Sequence, residues 1–289
     1  PRSSSAASDV YKRQGLNIIE APVDKDYYTV DLDQLRELAS KEKPKLITLG
    51  GSLNLFEHPV AEVSSIAKEI GAKLLFDAAH QCGLIAGKIW SNPLDHGADV
   101  VTMSTYKSLG GPPGGVIVTN DPEIAKKIDS IAFPGMTANF DAAKSAALAV
   151  TMLDWRDYGE DYVSEMVLMA KTLASCLEDY DVPVFFGALG HTQSHQFAVL
   201  ANEYRGGQEA SKLLRKSGLL ACGIGLPVQD IEGDMNGIRF GTPELVRWGM
   251  TAKHANKLAD LIAKALKSQN VSDQVSEWRQ TFNKIHFVN

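Results

Sequence analysis

Four short apolar runs, Lys45–Leu49 (KLITL), Lys73–Phe76 (KLLF), Asp99–Met103 (DVVTM) and Gly115–Thr119 (GVIVT), recur along the first half of the chain. Their recurrence constrains the fold more than any other feature. Strands buried on both faces read as short continuous apolar runs, and parallel neighbours need helical crossovers between them. Between the first two runs Val60, Val63, Ile66, Ala67 and Ile70 share one face at helical spacing, and Gly71 stands where a helix ends in a left-handed residue. Asp121-Pro122 reads as an N-cap followed by proline at the first helical position, opening a helix that carries Ile124 and Ile128 inward. From about Asp141 to Tyr180 the chain lacks proline and is rich in Ala, Leu, Met and Glu, which predicts helix. Near Asp181 the alternation resumes: PVFFG, HQFAVL and GIRFG are strand candidates, with a helix near Gly207–Lys216 and a last long helix from about Thr251 to Lys267. The expected fold class is α/β. A mostly parallel central sheet with its long connecting helices occupies residues 15–180, and a smaller α/β domain follows over 181–289.

Composition narrows the chemistry. The net charge of −6 comes with no basic cluster, so a nucleic-acid footprint is not expected and the partner is a small molecule. Cys82, Cys176 and Cys222 are too few and too scattered for a disulfide framework or a zinc site, which suits a reducing cytoplasm and a protein without a structural metal. No apolar run approaches membrane-spanning length. Residues 1–14 stand apart. Ser4–Gln14 reads SSAASDVYKRQ, which resembles the translation of a DNA-library adapter, so a non-native leader in place of a missing N-terminal portion is expected.

In LLFDAAH, Asp77 follows a buried strand immediately. Ligands of open α/β sheets bind outside the carboxyl ends of strands, and a carboxylate there can keep a pyridine nitrogen protonated. Taken alone, such an acid more often caps the next helix or turn. Thirty residues on, VVTMSTYKSLGGPPGG sets Lys107 just past another buried strand and before a glycine-rich turn. A partly desolvated lysine at that edge is a nucleophile for an aldehyde, although a lone lysine after a strand is usually a solvated surface group. Gly110, Gly111, Gly114 and Gly115 relieve crowding near a ligand or simply shape a turn. Far down the chain NGIRFGTP carries Arg239, whose guanidinium matches a substrate carboxylate with two parallel hydrogen bonds or forms a surface ion pair.

DAAHQCGLIAG, VVTMSTYKSLGGPPGG, AFPG at Ala132–Gly135 and GIRFGTP together resemble the serine hydroxymethyltransferase family, from about Gly15 to the C-terminal region. The resemblance implies the aspartate-aminotransferase-like pyridoxal-phosphate fold, a small amino-acid substrate, tetrahydrofolate as a possible co-substrate, and a homodimer formed through the large domain. It further implies that Lys107 forms the Schiff base, Asp77 meets the pyridine nitrogen, Ala79 lies against the ring and Arg239 holds the substrate carboxylate. His80 and Ser52 match positions near the phenolic oxygen and the substrate, and Ser104 matches a hydroxyl beside the cofactor. The Phe133–Gly135 turn matches a loop that reaches the neighbouring subunit's phosphate, with Gly135 at its end. His195 also matches a family histidine and is assigned a structural role. Cys82, Trp90 and Trp155 read as packing residues.

The departures bear on the reaction. Tyr106 stands immediately before the lysine where the family usually has His, and joins Lys107, Asp77 and His80 as a candidate catalytic residue. GPRGG has become Gly111-Pro-Pro-Gly-Gly115, and the continuation after FPG is Met136–Phe140. The leading expectation is a hydroxymethyltransferase or aldolase acting at the Cα–Cβ bond of a β-hydroxy amino acid. Its alternatives are a folate-independent threonine or α-methylserine aldolase, or an aminotransferase of the same fold. A non-catalytic phosphate-binding α/β module is the competitor from another class, weakened because the prolines of GGPPGG offer no N–H donors. The family's catalytic Glu, folate-contacting tyrosines, ring-stacking His and part of its phosphate cup would belong to the missing N-terminal portion, which leads to the expectation that the chain alone is inactive.

Overall fold

The computed structural model describes residues 16–139, 141–186 and 189–289, so the leader expected over 1–14, Phe140 and Gly187 of the PVFFG run lie outside the described residues. The chain divides into two compact units. One holds Thr29–Val163 and Phe287–Asn289; the other holds Ser164–His286 with the chain up to Tyr28. The division falls inside one long helix, and the boundary expected at 180/181 lies at that helix's C-terminal end.

After the short strands β1 (Val23–Asp24) and β2 (Thr29–Val30), helix α1 (Leu32–Glu42) starts where the Asp31 side chain accepts the Gln34 N–H at 3.0 Å. Strand β3 (Leu46–Leu49) leads to α2 (Val60–Glu69), which buries Val63, Ile66 and Ala67 as its spacing requires and is followed by Gly71 at φ +72°. Next come β4 (Lys73–Asp77), the short α3 (Cys82–Ala86), β5 (Val100–Ser104) and β6 (Gly115–Val118). The strand order is β3-β4-β5-β6, with β3, β4 and β5 parallel and β6 antiparallel to β5. Leu74 and Phe76 alternate on one face of β4 and belong to the same core as Val63 and Ile66 of α2. Burying each such side chain contributes roughly 1.5–3 kcal/mol, so the core is what holds the sheet edge in place.

Helix α4 (Pro122–Ser130) is capped as the sequence predicts: Asp121 Oδ1 accepts the N–H groups of Glu123 and Ile124 at 2.8 and 3.2 Å. An irregular turn over Ile131–Met136 with a cis Phe133–Pro134 bond precedes α5 (Ala142–Asp179).

In the second unit β7 (Val184–Phe185), β8 (Gln196–Leu200), β9 (Cys222–Ile224) and β10 (Gly237–Gly241) form an antiparallel sheet in the order β7-β8-β10-β9. Helix α6 (Gly207–Lys216) packs on β9. Beyond α7 (Pro243–Arg247), the last predicted helix is a short 3-10 turn running into α8 (Ala255–Leu266), and α9 (Ser272–Gln280) follows it. Neither β9 nor α9 was expected: one is three residues long beside glycine, and the other buries no residue.

The core account predicts unequal costs along one sheet. Leu74→Ala, at a position 1% exposed, should lower the unfolding free energy by about 3 kcal/mol, whereas Leu46→Ala, at 50% exposure, should cost under about 1 kcal/mol. Urea denaturation of both variants checks this.

Candidate functional site

Because β4 and β5 are parallel, their carboxyl ends meet at one edge, where Asp77 closes β4 opposite Thr102. The pairing continues one residue further: the Ala78 N–H donates to the Thr102 carbonyl at 2.8 Å. Asp77 Oδ1 accepts the Ala79 N–H at 3.1 Å, so the carboxylate folds over its own turn and keeps a fixed place at the edge.

Lys107 sits in a turn that begins where β5 ends. Its N–H donates to Ser104 O at 3.4 Å, and its carbonyl accepts the N–H of Gly110, which adopts φ +70°. The next residue, Ser108, is buried at 4% exposure and joins this turn to the one after β4. Its hydroxyl donates to the His80 carbonyl at 2.6 Å and accepts the Gly83 N–H at 2.9 Å. Gly83 admits this approach because it lacks a side chain: a β-carbon there would lie 2.7 Å from Ser108 O. From α5, Trp155 Nε1 donates to Leu109 O at 2.7 Å and holds the far side of the turn. Tyr106 remains 54% exposed.

Cys82 packs beneath both turns, its thiol against Ser108 Oγ and the carbonyls of Ala79 and Ser104, and burial pushes its pKa up. It is therefore a packing group, not a nucleophile. Ser52 lies exposed on the loop after β3, which reaches the same edge through Gly50. At φ +89°, Gly50 presses on the Asp77 peptide so closely that a β-carbon would stand 2.2 Å from Asp77 O.

Ser52, Asp77, Ala79, His80, Ser104, Tyr106 and Lys107 thus come to one sheet edge within one unit. Gly135 lies in the same unit, in the exposed Ile131–Met136 turn. Arg239 belongs to the second unit, at the middle of β10 opposite Ala198. There His195 is buried and held down to about 3 by burial and, next, by the Arg239 charge. Thr242, fully buried, donates its N–H to His195 O at 3.1 Å and its hydroxyl to Met166 O at 2.7 Å, fixing the end of β10.

A carboxylate and a primary amine at one edge, each on a turn fixed by backbone hydrogen bonds, fit a group that presents a pyridine nitrogen and an aldehyde. No cluster of His, Cys, Asp and Glu able to hold a metal ion is found among the described residues. Ser108 and Gly50 were not among the sequence-predicted site residues. Their signals were a small hydroxyl directly after the lysine and a glycine pair directly after the KLITL run.

A family model described as serine hydroxymethyltransferase matches residues 3–262. An alpha-methylserine aldolase from a Ralstonia species is 56% identical over 278 residues, covering 95% of this chain and 64% of that protein. A serine hydroxymethyltransferase from Sulfolobus acidocaldarius is 38% identical over 280 residues, covering 95% and 65%. Among solved structures, the L-threonine transaldolase from Pseudomonas fluorescens in its internal aldimine state matches with a TM-score of 0.85 at 27% identity, covering 95% of this chain and 63% of that one. The chain therefore spans less than two thirds of the length of these relatives.

Two measurements probe this geometry. Ser108→Ala strands the buried Gly83 N–H and should cost about 2 kcal/mol in denaturant unfolding, with Ser108→Thr costing more because the extra methyl has no room beside Gly83. His195 is neutral in the folded protein but protonates in the unfolded chain below its ordinary 6.5. Its depressed pKa therefore makes the unfolded state bind more protons, so stability is full above pH 6.5 and falls toward pH 3. The slope in this window is up to about 1.4 kcal/mol per pH unit, and it should be shallower in His195→Asn.

Proposed function

This chain belongs to the serine hydroxymethyltransferase family, and from that membership we propose that the protein of which it is part uses pyridoxal phosphate to make or break the Cα–Cβ bond of a β-hydroxy amino acid. Within that chemistry we favour a folate-independent aldolase acting on α-methylserine or a close analogue. The observation that carries this choice is the gap between 56% identity to an alpha-methylserine aldolase and 38% to a serine hydroxymethyltransferase over matched segments of almost equal length. Tyr106, in place of the usual family His before the lysine, points the same way, because it changes the group beside the reacting amine.

Bound pyridoxal phosphate supplies an electron sink, its protonated ring taking up the pair left on Cα when the bond breaks. Asp77, a carboxylate held half-buried at a strand end, would keep the ring nitrogen protonated. Lys107 Nζ would hold the cofactor through its aldehyde carbon. Ala79 would lie against the ring, while His80, Ser52 and Ser104 would supply polar contacts around it. Arg239 receives the substrate carboxylate with its planar fork. The β-carbon of α-methylserine leaves as formaldehyde once its hydroxyl proton is removed, and Cα takes up a proton to give alanine.

A homodimer suits this reading. Ile131, Phe133 and Met136, exposed at 59%, 55% and 78% around Gly135, make an apolar turn that a second subunit would cover. A cytoplasmic location suits the free thiols of Cys82, Cys176 and Cys222, which a reducing compartment preserves. No described helix is long and apolar enough to cross a membrane.

Turnover of full-length protein on α-methylserine, serine and threonine, with and without tetrahydrofolate, tests the choice. α-Methylserine cleavage indifferent to folate is expected, whereas a strict folate requirement would return the hydroxymethyltransferase reading. Asp77→Asn should retain the cofactor yet slow α-methylserine cleavage, and exchange of the α-proton of the product alanine, by about a hundredfold or more, since an amide cannot hold the ring nitrogen protonated. Arg239→Lys should raise the KM for amino acids by about tenfold or more with little change in cofactor affinity.

A further inference from the structure

One buried amide is left over by the assignments above. Gln81 lies four residues after Asp77 and is fully buried. Its Nε2 donates across to the Gly51 carbonyl at 3.2 Å. Its Oε1 is buried with no hydrogen-bond partner among the described residues. An unpaired buried carbonyl oxygen costs about 1–3 kcal/mol, so an apolar side chain of the same size would serve packing better. Nor does Gly51 need the bond to satisfy its oxygen, since Asn54 Nδ2 already donates to it at 2.7 Å. The one thing the Gln81 bond adds is a tie between the loop after β3 and the turn after β4.

That tie acts where the two segments are already in contact. Gly50 is packed on the Asp77 peptide, and Gly51, held by Gln81, is the next residue. The loop is anchored on its other side as well. Asn54 spends its amide N–H on Gly51, so its Oδ1 must accept from His58 Nε2 at 2.6 Å, and His58 Nδ1 accepts the Thr29 hydroxyl at 3.1 Å. Burial holds His58 down to about 4, against a smaller opposing effect of Glu57, and the ring is neutral with its proton on Nε2. The loop is thus fixed from Thr29, His58 and Asn54 on one side and from Gln81 on the other. A shift of either side moves Gly50 against Asp77.

We infer that Gln81 is a positioning residue: by tying Gly51 to the turn after β4, its amide sets where the Asp77 carboxylate meets the pyridine nitrogen of the cofactor. The inference rests on the pyridoxal-phosphate reading of the site proposed above. It accounts for a buried amide whose oxygen is unpaired, because the fold tolerates that cost for the sake of geometry at a functional edge.

The test is Gln81→Met in the full-length protein, a swap of similar volume that removes both the tie and the unpaired oxygen. Three quantities are read: the melting temperature of the apoprotein, the Kd for pyridoxal phosphate from titration of the apoprotein, and the pH titration of the bound cofactor's visible band. The expected result is an unchanged or higher melting temperature, a Kd raised about tenfold, and a displaced band titration, since ring protonation follows Asp77. A melting temperature that falls while the band titration stays at the wild-type position overturns the inference, leaving Gln81 a structural residue. Identical Kd and band titration in variant and wild type overturn it as well, while the cofactor reading stands. A wild-type protein that binds no pyridoxal phosphate overturns both.

Discussion

A single buried hydroxyl governs the candidate site. Ser108 Oγ spans the two turns that carry the chemistry, donating to His80 O after β4 and accepting from the Gly83 N–H at the start of α3. Both partners are backbone groups, so they place the chain itself and not a mobile side chain. The parallel pairing of β4 with β5 brings the two strand ends to one edge, but pairing alone leaves the turns beyond them free to diverge. Ser108, Cys82 beneath it and Trp155 on the far side remove that freedom. Lys107 then lies one residue from a buried anchor, which is the preorganisation that a covalent cofactor site requires.

The same logic appears on the neighbouring loop and in the second unit. Gly50 is pressed against Asp77, and Gly51 is held by Asn54 and Gln81, so the Ser52 loop is set by backbone contacts at two successive residues. In the antiparallel sheet, Thr242 secures the end of β10 through His195 O and Met166 O, three residues after Arg239, which pairs with Ala198. Each candidate group is therefore one to three residues from a hydrogen bond that fixes backbone. The side chains that do the fixing are small or buried, and the side chains that would meet substrate and cofactor are partly exposed.

Much of this was legible in the sequence, and the reasons differ by element. The four strands of the first sheet follow from short apolar runs, and α2, α4 and α5 follow from spacing, a capped proline and the absence of helix breakers. β9 and α9 escaped because three residues beside glycine carry no periodic signal, and a helix that buries nothing shows no apolar face. Asp77, Lys107 and Arg239 stood out through motifs. Ser108, Gly50, Asn54 and Gln81 did not, because their importance lies in which backbone atom they meet across the fold, and a chain read in one dimension does not carry those pairings. The antiparallel placement of β6 was illegible for the same reason: its apolar run reads alike in either direction.

The central claim is that Asp77 and Lys107, brought to one edge by paired strands and a buried serine, form a pyridoxal-phosphate site. The most direct measurement is borohydride reduction of the cofactor-loaded full-length protein followed by peptide mapping. The account predicts one pyridoxyl label, on the Lys107 peptide, lost in Lys107→Ala while the fold persists. Label on Lys73, Lys88 or any other lysine, or no label on protein that has bound the cofactor, would contradict it.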